Sequence, residues 1–262
     1  MHFSEFVEHQ PELLAYHATE AGLNKQAIIY WQRAGTKAFE RPVYVEAIAH
    51  FRQGLELLMK LPDIANRPHD ELAFRLSLCN ALKAVRGFAA PEVESEFTRA
   101  YELCQQLGET PQLLLVLSGL RQLYLMRGAL STARELGEEY LNLAQRQQNI
   151  TAISTAAHLI GMPLFCLGEL TTAREYYEQA YDCPVGPAWF ALLLWHLGYL
   201  DQARKMIDEG LSRQLPSVLD QAIACMCAST FSQKVSKKPH AWQSVVPSGE
   251  SWRCKASTRC FA

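Results

Sequence analysis

Nothing in this chain reads as a membrane segment or an export signal. No stretch approaches the ~18–20 uninterrupted apolar residues that a membrane helix needs. The greasiest run, from Ala188 to Leu197, is cut short by His196 and Gly198. The first residues, MHFSEFVEHQP, lack the basic start and apolar run of a secretory signal. A one-sided charge is missing as well: the net charge is −2, which gives no global attraction to nucleic acid or to an anionic membrane. None of the eight cysteines forms a C-x-x-C pair. The only pairs that suggest a metal are His2 with His9, Cys225 with Cys227, and Cys254 with Cys260. Residues two apart on a helix splay by about 200°, and zinc sites prefer C-x2–4-C with a second pair. No local spacing suggests a Ser-His-Asp, Cys-His or paired-carboxylate centre. These absences leave a soluble, cytoplasmic protein with reduced thiols, no catalytic residue, no metal and no cofactor.

What is present is apolar and helical. Hydrophobic residues make up 49% and charged residues 20% of the 262, enough for a packed core. The charge is uneven: residues 230–262 carry Lys234, Lys237, Lys238, Arg253, Lys255 and Arg259 against Glu250, or +5, so the rest carries −7. That tail is poor in Leu, rich in Ser and Lys, and has no helical period. Two units are expected: a solenoid over 1–229 and an irregular or disordered basic tail over 230–262. Trp242 and Trp252 among the lysines suit nucleic acid by charge and stacking. The composition suits a disordered extension better, so no nucleic-acid partner is expected.

A repeat organises the first unit. Its clearest copy runs Ile160-Gly161, Leu164, Leu167-Gly168-Glu169-Leu170, Ala173, Tyr177, Ala180. The pattern predicts a helix over about 151–166 and another over about 171–182. Further copies carry Leu197-Gly198-Tyr199-Leu200 with Ala203, Gly128-Ala129-Leu130 with Ala133, and Trp31, Gly35, Ala47, Phe51 and Gly54. A degenerate copy has Ala81, Val93, Phe97 and Ala100. The anchors 47, 93, 133, 173 and 203 step by 46, 40, 40 and 30, against about 34 in a plain tetratricopeptide (TPR) repeat. Longer steps imply longer helices or loops, and the step of 30 a shortened helix. The expected fold is therefore all-α: a TPR-like solenoid of about five helical hairpins, each needing a neighbour to cover its apolar face. Gly161 and Ala173 are the expected close pair, Gly168 and Gly198 the expected left-handed caps. Tyr177 and Phe51 are expected to fill the space between pairs.

Several runs resemble the TPR-rich region of large bacterial signalling proteins in which an adenylate/guanylate cyclase or kinase domain and an AAA-like ATPase precede it. They are QPELLAYHATEAG (10–22), QAIIYWQRAG (26–35), EAIAHF (46–51), GFAAPEV (87–93), YELCQQLGETP (101–111) and LGEL (167–170). The resemblance covers about 8–182 and 187–211. It implies a non-enzymatic protein–protein interaction scaffold, the regulatory arm of such a protein. The G-x-x-x-x-G-K-[ST] loop an ATPase needs is not in this chain, so the family's enzymatic residues map onto nothing here. Relatives carry extra residues after Tyr181-Asp182, which agrees with the short step of 30. An accessory subunit of a separately encoded cyclase or ATPase, and a non-functional truncated gene copy, remain alternatives.

A concave groove on the first helices is the expected ligand face. His158, Met162 and Phe165 share a face at i, i+4 and i+7. Trp195 and His196 hold comparable positions one pair later, Gln122 and Met126 one pair earlier. An aromatic and methionine stripe suits capture of a protein or peptide, and burial between repeats is the competing reading. Arg75 and Arg86 border the groove in the degenerate copy and suit an acidic peptide, unless they are merely solvated. Self-association through an uncapped end near Ile207 to Leu219 is a further expectation.

Overall fold

The computed structural model describes residues 10–61, 66–108, 110–180, 183 and 186–212. The expected tail, the four distal cysteines, His2 and His9 lie outside the described residues. A single helix, α1 (Pro11–Glu20), precedes five antiparallel pairs. These are α2 (Asn24–Glu40) with α3 (Tyr44–Lys60), α4 (Arg67–Arg86) with α5 (Pro91–Leu107), and α6 (Gln112–Met126) with α7 (Leu130–Arg146). They continue with α8 (Ile150–Leu167) and α9 (Leu170–Gln179), then α10 (Gly186–His196) and α11 (Leu200–Ser212). No strand occurs among the described residues.

Each helix packs on the next along the chain. Beyond that, α2 touches α4, α6 touches α8, and α8 touches α10, whereas the second helices make no comparable contact with one another. The first helices therefore form the inner layer, and the stack curves toward them. The uneven steps have plain causes. The step of 46 spans the 20-residue α4 and the segment before it. The step of 30 follows from an α9 of 10 residues and an α10 of 11.

The repeat anchors lie on the second helices, and four of the five are alanine. The five anchors Ala47, Val93, Ala133, Ala173 and Ala203 are all fully buried. Four helical glycines, Gly35, Gly54, Gly119 and Gly161, hold a different post: each makes a dimple for an aromatic ring. A Cβ on Gly35 would lie 2.3 Å from the Phe51 ring, and one on Gly119 would lie 2.3 Å from Phe97. A Cβ on Gly161 would come within 3.0 Å of Tyr177. Gly161 therefore faces Tyr177, four residues beyond Ala173 and one turn along the same face of α9. This corrects the expected Gly161–Ala173 pair. Phe51 also meets Phe74 of the next pair edge-on at 6.5 Å, and Tyr177 stacks on Phe190 of the next pair at 6.2 Å. Both rings thus link pairs, as expected.

The helix ends also follow the sequence. Gly168 and Gly198 have φ of +81° and +87°. After each, the next amide donates back across the turn, Glu169 to the Leu164 carbonyl and Tyr199 to the Leu194 carbonyl. This is the glycine-centred stop that the left-handed conformation allows. At the start of α8, the Asn149 side chain accepts from the Ala152 amide at 3.0 Å, covering an amide with no partner inside the helix.

Helix α8 is the most deeply embedded element. By length and composition it is the one described helix apolar enough to cross a membrane, which corrects the expectation that no stretch comes close. Here its apolar surface meets protein: α6, α7, α9 and α10 surround it, and every residue from Ala156 to Leu164 is buried. A helix apolar on all sides belongs in a core.

Pro163 sits inside α8 and has no N–H, so the Leu159 carbonyl one turn back loses its helical donor. Arg121 of α6 supplies the replacement: its Nε donates to the Leu159 oxygen at 3.0 Å. A measurable coupling is expected. In Pro163→Ala the Leu159 carbonyl regains a helical amide, so Arg121→Met should destabilise that background less than the wild type, by about 1–2 kcal/mol. A double-mutant cycle by urea unfolding reads this directly, and equal effects in both backgrounds would refute the replacement.

Candidate functional site

The inner layer brings some of the nine anticipated groove residues together and removes others from solvent. His158 is 8% exposed and Met162 7%. Neither lines an open wall, because α8 is enclosed all round its middle. His158 lies against the Tyr177 ring at 5.8 Å, and burial, followed by the nearby Arg121 charge, drives its pKa down to about 3. Met162 packs with Leu125, Ala133 and Trp189. Phe165, Trp195 and His196 do converge. The His196 ring meets Phe165 at 5.1 Å and Trp195 at 4.7 Å, both edge-on, and joins α8 to α10. Phe165 and Trp195 are half-buried, while His196 is exposed. Met126 is exposed on α6, and Gln122 accepts from Nη1 of Arg121 at 3.0 Å.

The two arginines part company. Arg75 is committed within its own pair, donating to Glu71 at 2.8 Å and to Glu96 at 2.5 Å. Arg99 joins the same Glu71 carboxylate at 3.1 Å. Burial pushes the Glu71 pKa up, but the hydrogen bonds from Arg99 and Arg75 outweigh it and hold the pKa below the ordinary carboxylate value. A guanidinium held by two carboxylates is not offered to an acidic ligand. Arg86 is exposed and makes no ion pair among the described residues. It lies near the far end of α4, in a notch of about 250 Å³ against Val45, Ile48 and Arg52 of α3, away from the α2 and α4 inner face.

The larger opening was not among the anticipated residues. A cleft of about 490 Å³ runs between the N-terminal halves of α2 and α4. Its floor is Ile28, Leu58 and Phe74, all buried. Lys25, Ile29, Gln32 and Arg33 form the α2 wall, with Asp70 of α4 and Asn66, the residue before that helix, opposite. Ile29 is 52% exposed and stands on the α2 wall directly above the apolar floor. Gln32 donates to the Ser77 hydroxyl at 3.1 Å, and that hydroxyl donates to the Ala73 carbonyl at 3.0 Å, so the two inner helices are tied beside the cleft. Lys25 and Arg33 make no ion pair among the described residues, and Asp70 is the one carboxylate among the described residues that line the cleft. The sequence held a signal for this wall: Lys25, Ile29 and Arg33 recur at i, i+4 and i+8, an apolar residue between two cations on one helix face.

This architecture is that of TPR-like helical solenoids. No protein-family model matches the chain, and no curated protein sequence matches it significantly. Solved structures do. Aspartyl phosphate phosphatase F from Bacillus subtilis matches with a TM-score of 0.65 at 14% identity, over 84% of this chain and 60% of that one. The apo form of the quorum sensor NprR from B. thuringiensis matches with a TM-score of 0.64 at 11% identity, over 85% of this chain and 64% of that one. BtubC (BKLC) from P. vanneervenii matches with a TM-score of 0.56 at 12% identity, over 94% of this chain and 95% of that one. Identities this low speak for the shared fold. The match takes in only 57% to 66% of the Rap and NprR chains.

Proposed function

We propose that this chain is an interaction module that docks an extended protein or peptide segment in the α2/α4 cleft. The observation that carries the reading is the cleft itself. It has an apolar floor, an exposed isoleucine and cations without an ion pair among the described residues, between two inner helices tied by a hydrogen bond. A preformed opening with few convergent polar groups is what a ligand site requires. Structures of similar fold include NprR in complex with its cognate peptide NprX and a Rap conjugation gene regulator in complex with the Phr* peptide. They lend support to peptide docking here.

A random-peptide display library panned against the purified chain tests it. Specific clones should emerge, and Ile29→Asp should weaken them by at least about ten-fold, since an unpaired charge then meets their apolar anchor. Clones indifferent to Ile29→Asp, or no clones at all, would refute the reading.

The resemblance to cyclase and ATPase signalling proteins supports a finer version, in which this solenoid is the regulatory arm of such a protein. Adding the chain to the related cyclase or ATPase should then change its ATP turnover. Unaltered turnover at saturating chain would contradict that version.

A further inference from the structure

We infer that the segment docked in the α2/α4 cleft is acidic, with the pattern acidic–x–apolar–x–acidic, and lies extended along α2. The inference rests on the docking reading above and specifies its ligand. Its starting point is the stripe Lys25, Ile29, Arg33. Residues four apart on a helix advance by about 6.0 Å along the axis. Alternate residues of an extended segment advance by about 6.6 Å and point the same way. An extended peptide parallel to α2 therefore presents every second side chain almost in step with the stripe, over three positions. The central side chain meets Ile29 above the floor of Ile28 and Phe74, and the outer two meet Lys25 and Arg33.

Charge selects the outer pair. Both cations are exposed and lack a carboxylate partner among the described residues, so each is available to a ligand. Asp70, across the cleft on α4, is the only charge of the opposite sign among the described residues lining it. It disfavours an acidic side chain on that wall and favours one on the α2 wall. Asn66 beside it has an amide suited to the backbone of an extended segment.

Three fluorescein-labelled peptides test this by anisotropy at low salt: Gly-Glu-Ser-Leu-Ser-Glu-Gly, its spacing variant Glu-Ser-Ser-Leu-Ser-Ser-Glu, and its charge-reversed form Gly-Lys-Ser-Leu-Ser-Lys-Gly. The first should bind roughly ten-fold tighter than either other peptide, the yield of two exposed ion pairs. Lys25→Glu with Arg33→Glu should move the preference to the lysine peptide. Circular dichroism confirms that the variant is folded, since both positions are exposed. Equal binding of the three peptides, binding of none, or an unchanged preference in the reversed chain overturns the inference. If library clones still depend on Ile29 while these peptides fail, the docking site stands and only its acidic pattern falls.

Discussion

Tyr177→Ala should cost about 3–5 kcal/mol of stability, the range for a large aromatic removed from a core. Tyr177 is 2% exposed and joins three helices. Its ring fills the dimple at Gly161 on α8, lies 5.8 Å from His158, and stacks on Phe190 of α10 with 10° between the planes. Because a solenoid is held by nearest-neighbour interfaces, the loss should be local. Amide exchange should accelerate in α8 to α11 and stay unchanged in α1 to α5. Tyr199→Ala is the control: that ring is 44% exposed, against Arg174 at 4.8 Å, and should cost under about 1 kcal/mol. A uniform rise in exchange along the chain would contradict a nearest-neighbour stack.

The second large effect is a sensitivity to mild acid. His158 in the folded chain has its pKa lowered from 6.5 to about 3, first by burial and then by the Arg121 charge. Protonation therefore favours the unfolded chain. The stability that the neutral ring permits is fully present above pH 6.5 and is lost as the pH falls from there toward 3. One such group gives a slope of about 1.4 kcal/mol per pH unit. Between pH 6.5 and 5 the chain should lose about 2 kcal/mol through this residue. The lowered carboxylates Glu71 and Glu94, with an ordinary value of 4.5, weaken the fold only at lower pH. His50 shifts downward too, through burial opposed by Glu12 and Glu46, and adds to the same window. Chemical unfolding of wild type and His158→Gln at pH 7.5, 6.5, 5.8 and 5.0 separates them. The variant should have the flatter profile, and parallel profiles would exclude His158 as a source.

The fold was legible because a close helix approach demands a small residue at one place per pair. The five anchors from Ala47 to Ala203 are that place, and all are fully buried. The caps were legible for a similar reason, since a left-handed stop admits little besides glycine. Linear spacing alone could not say which α9 residue opposes Gly161, because Ala173 and Tyr177 lie one turn apart on the same face. Nor could a helical wheel identify an exposed face on α8. A stripe of His158, Met162 and Phe165 implies a solvent side only if some side is polar, and from Ala156 to Leu164 His158 is the one charged-capable residue. Arg75 failed as a ligand contact because its partners Glu71 and Glu96 come from one turn back on α4 and from α5. The Lys25–Ile29–Arg33 stripe was visible in the sequence, but its meaning depended on α4 standing beside α2, a contact between pairs that no local pattern encodes.

Docking on the inner helices α2 and α4, as proposed, must slow amide exchange there. Hydrogen–deuterium exchange of the chain with and without a library-selected peptide tests it most directly. Protection confined to the α2 and α4 segments around 24–36 and 66–77 is the predicted result. Protection on the outer helices α3 and α5, with α2 and α4 unchanged, would contradict it.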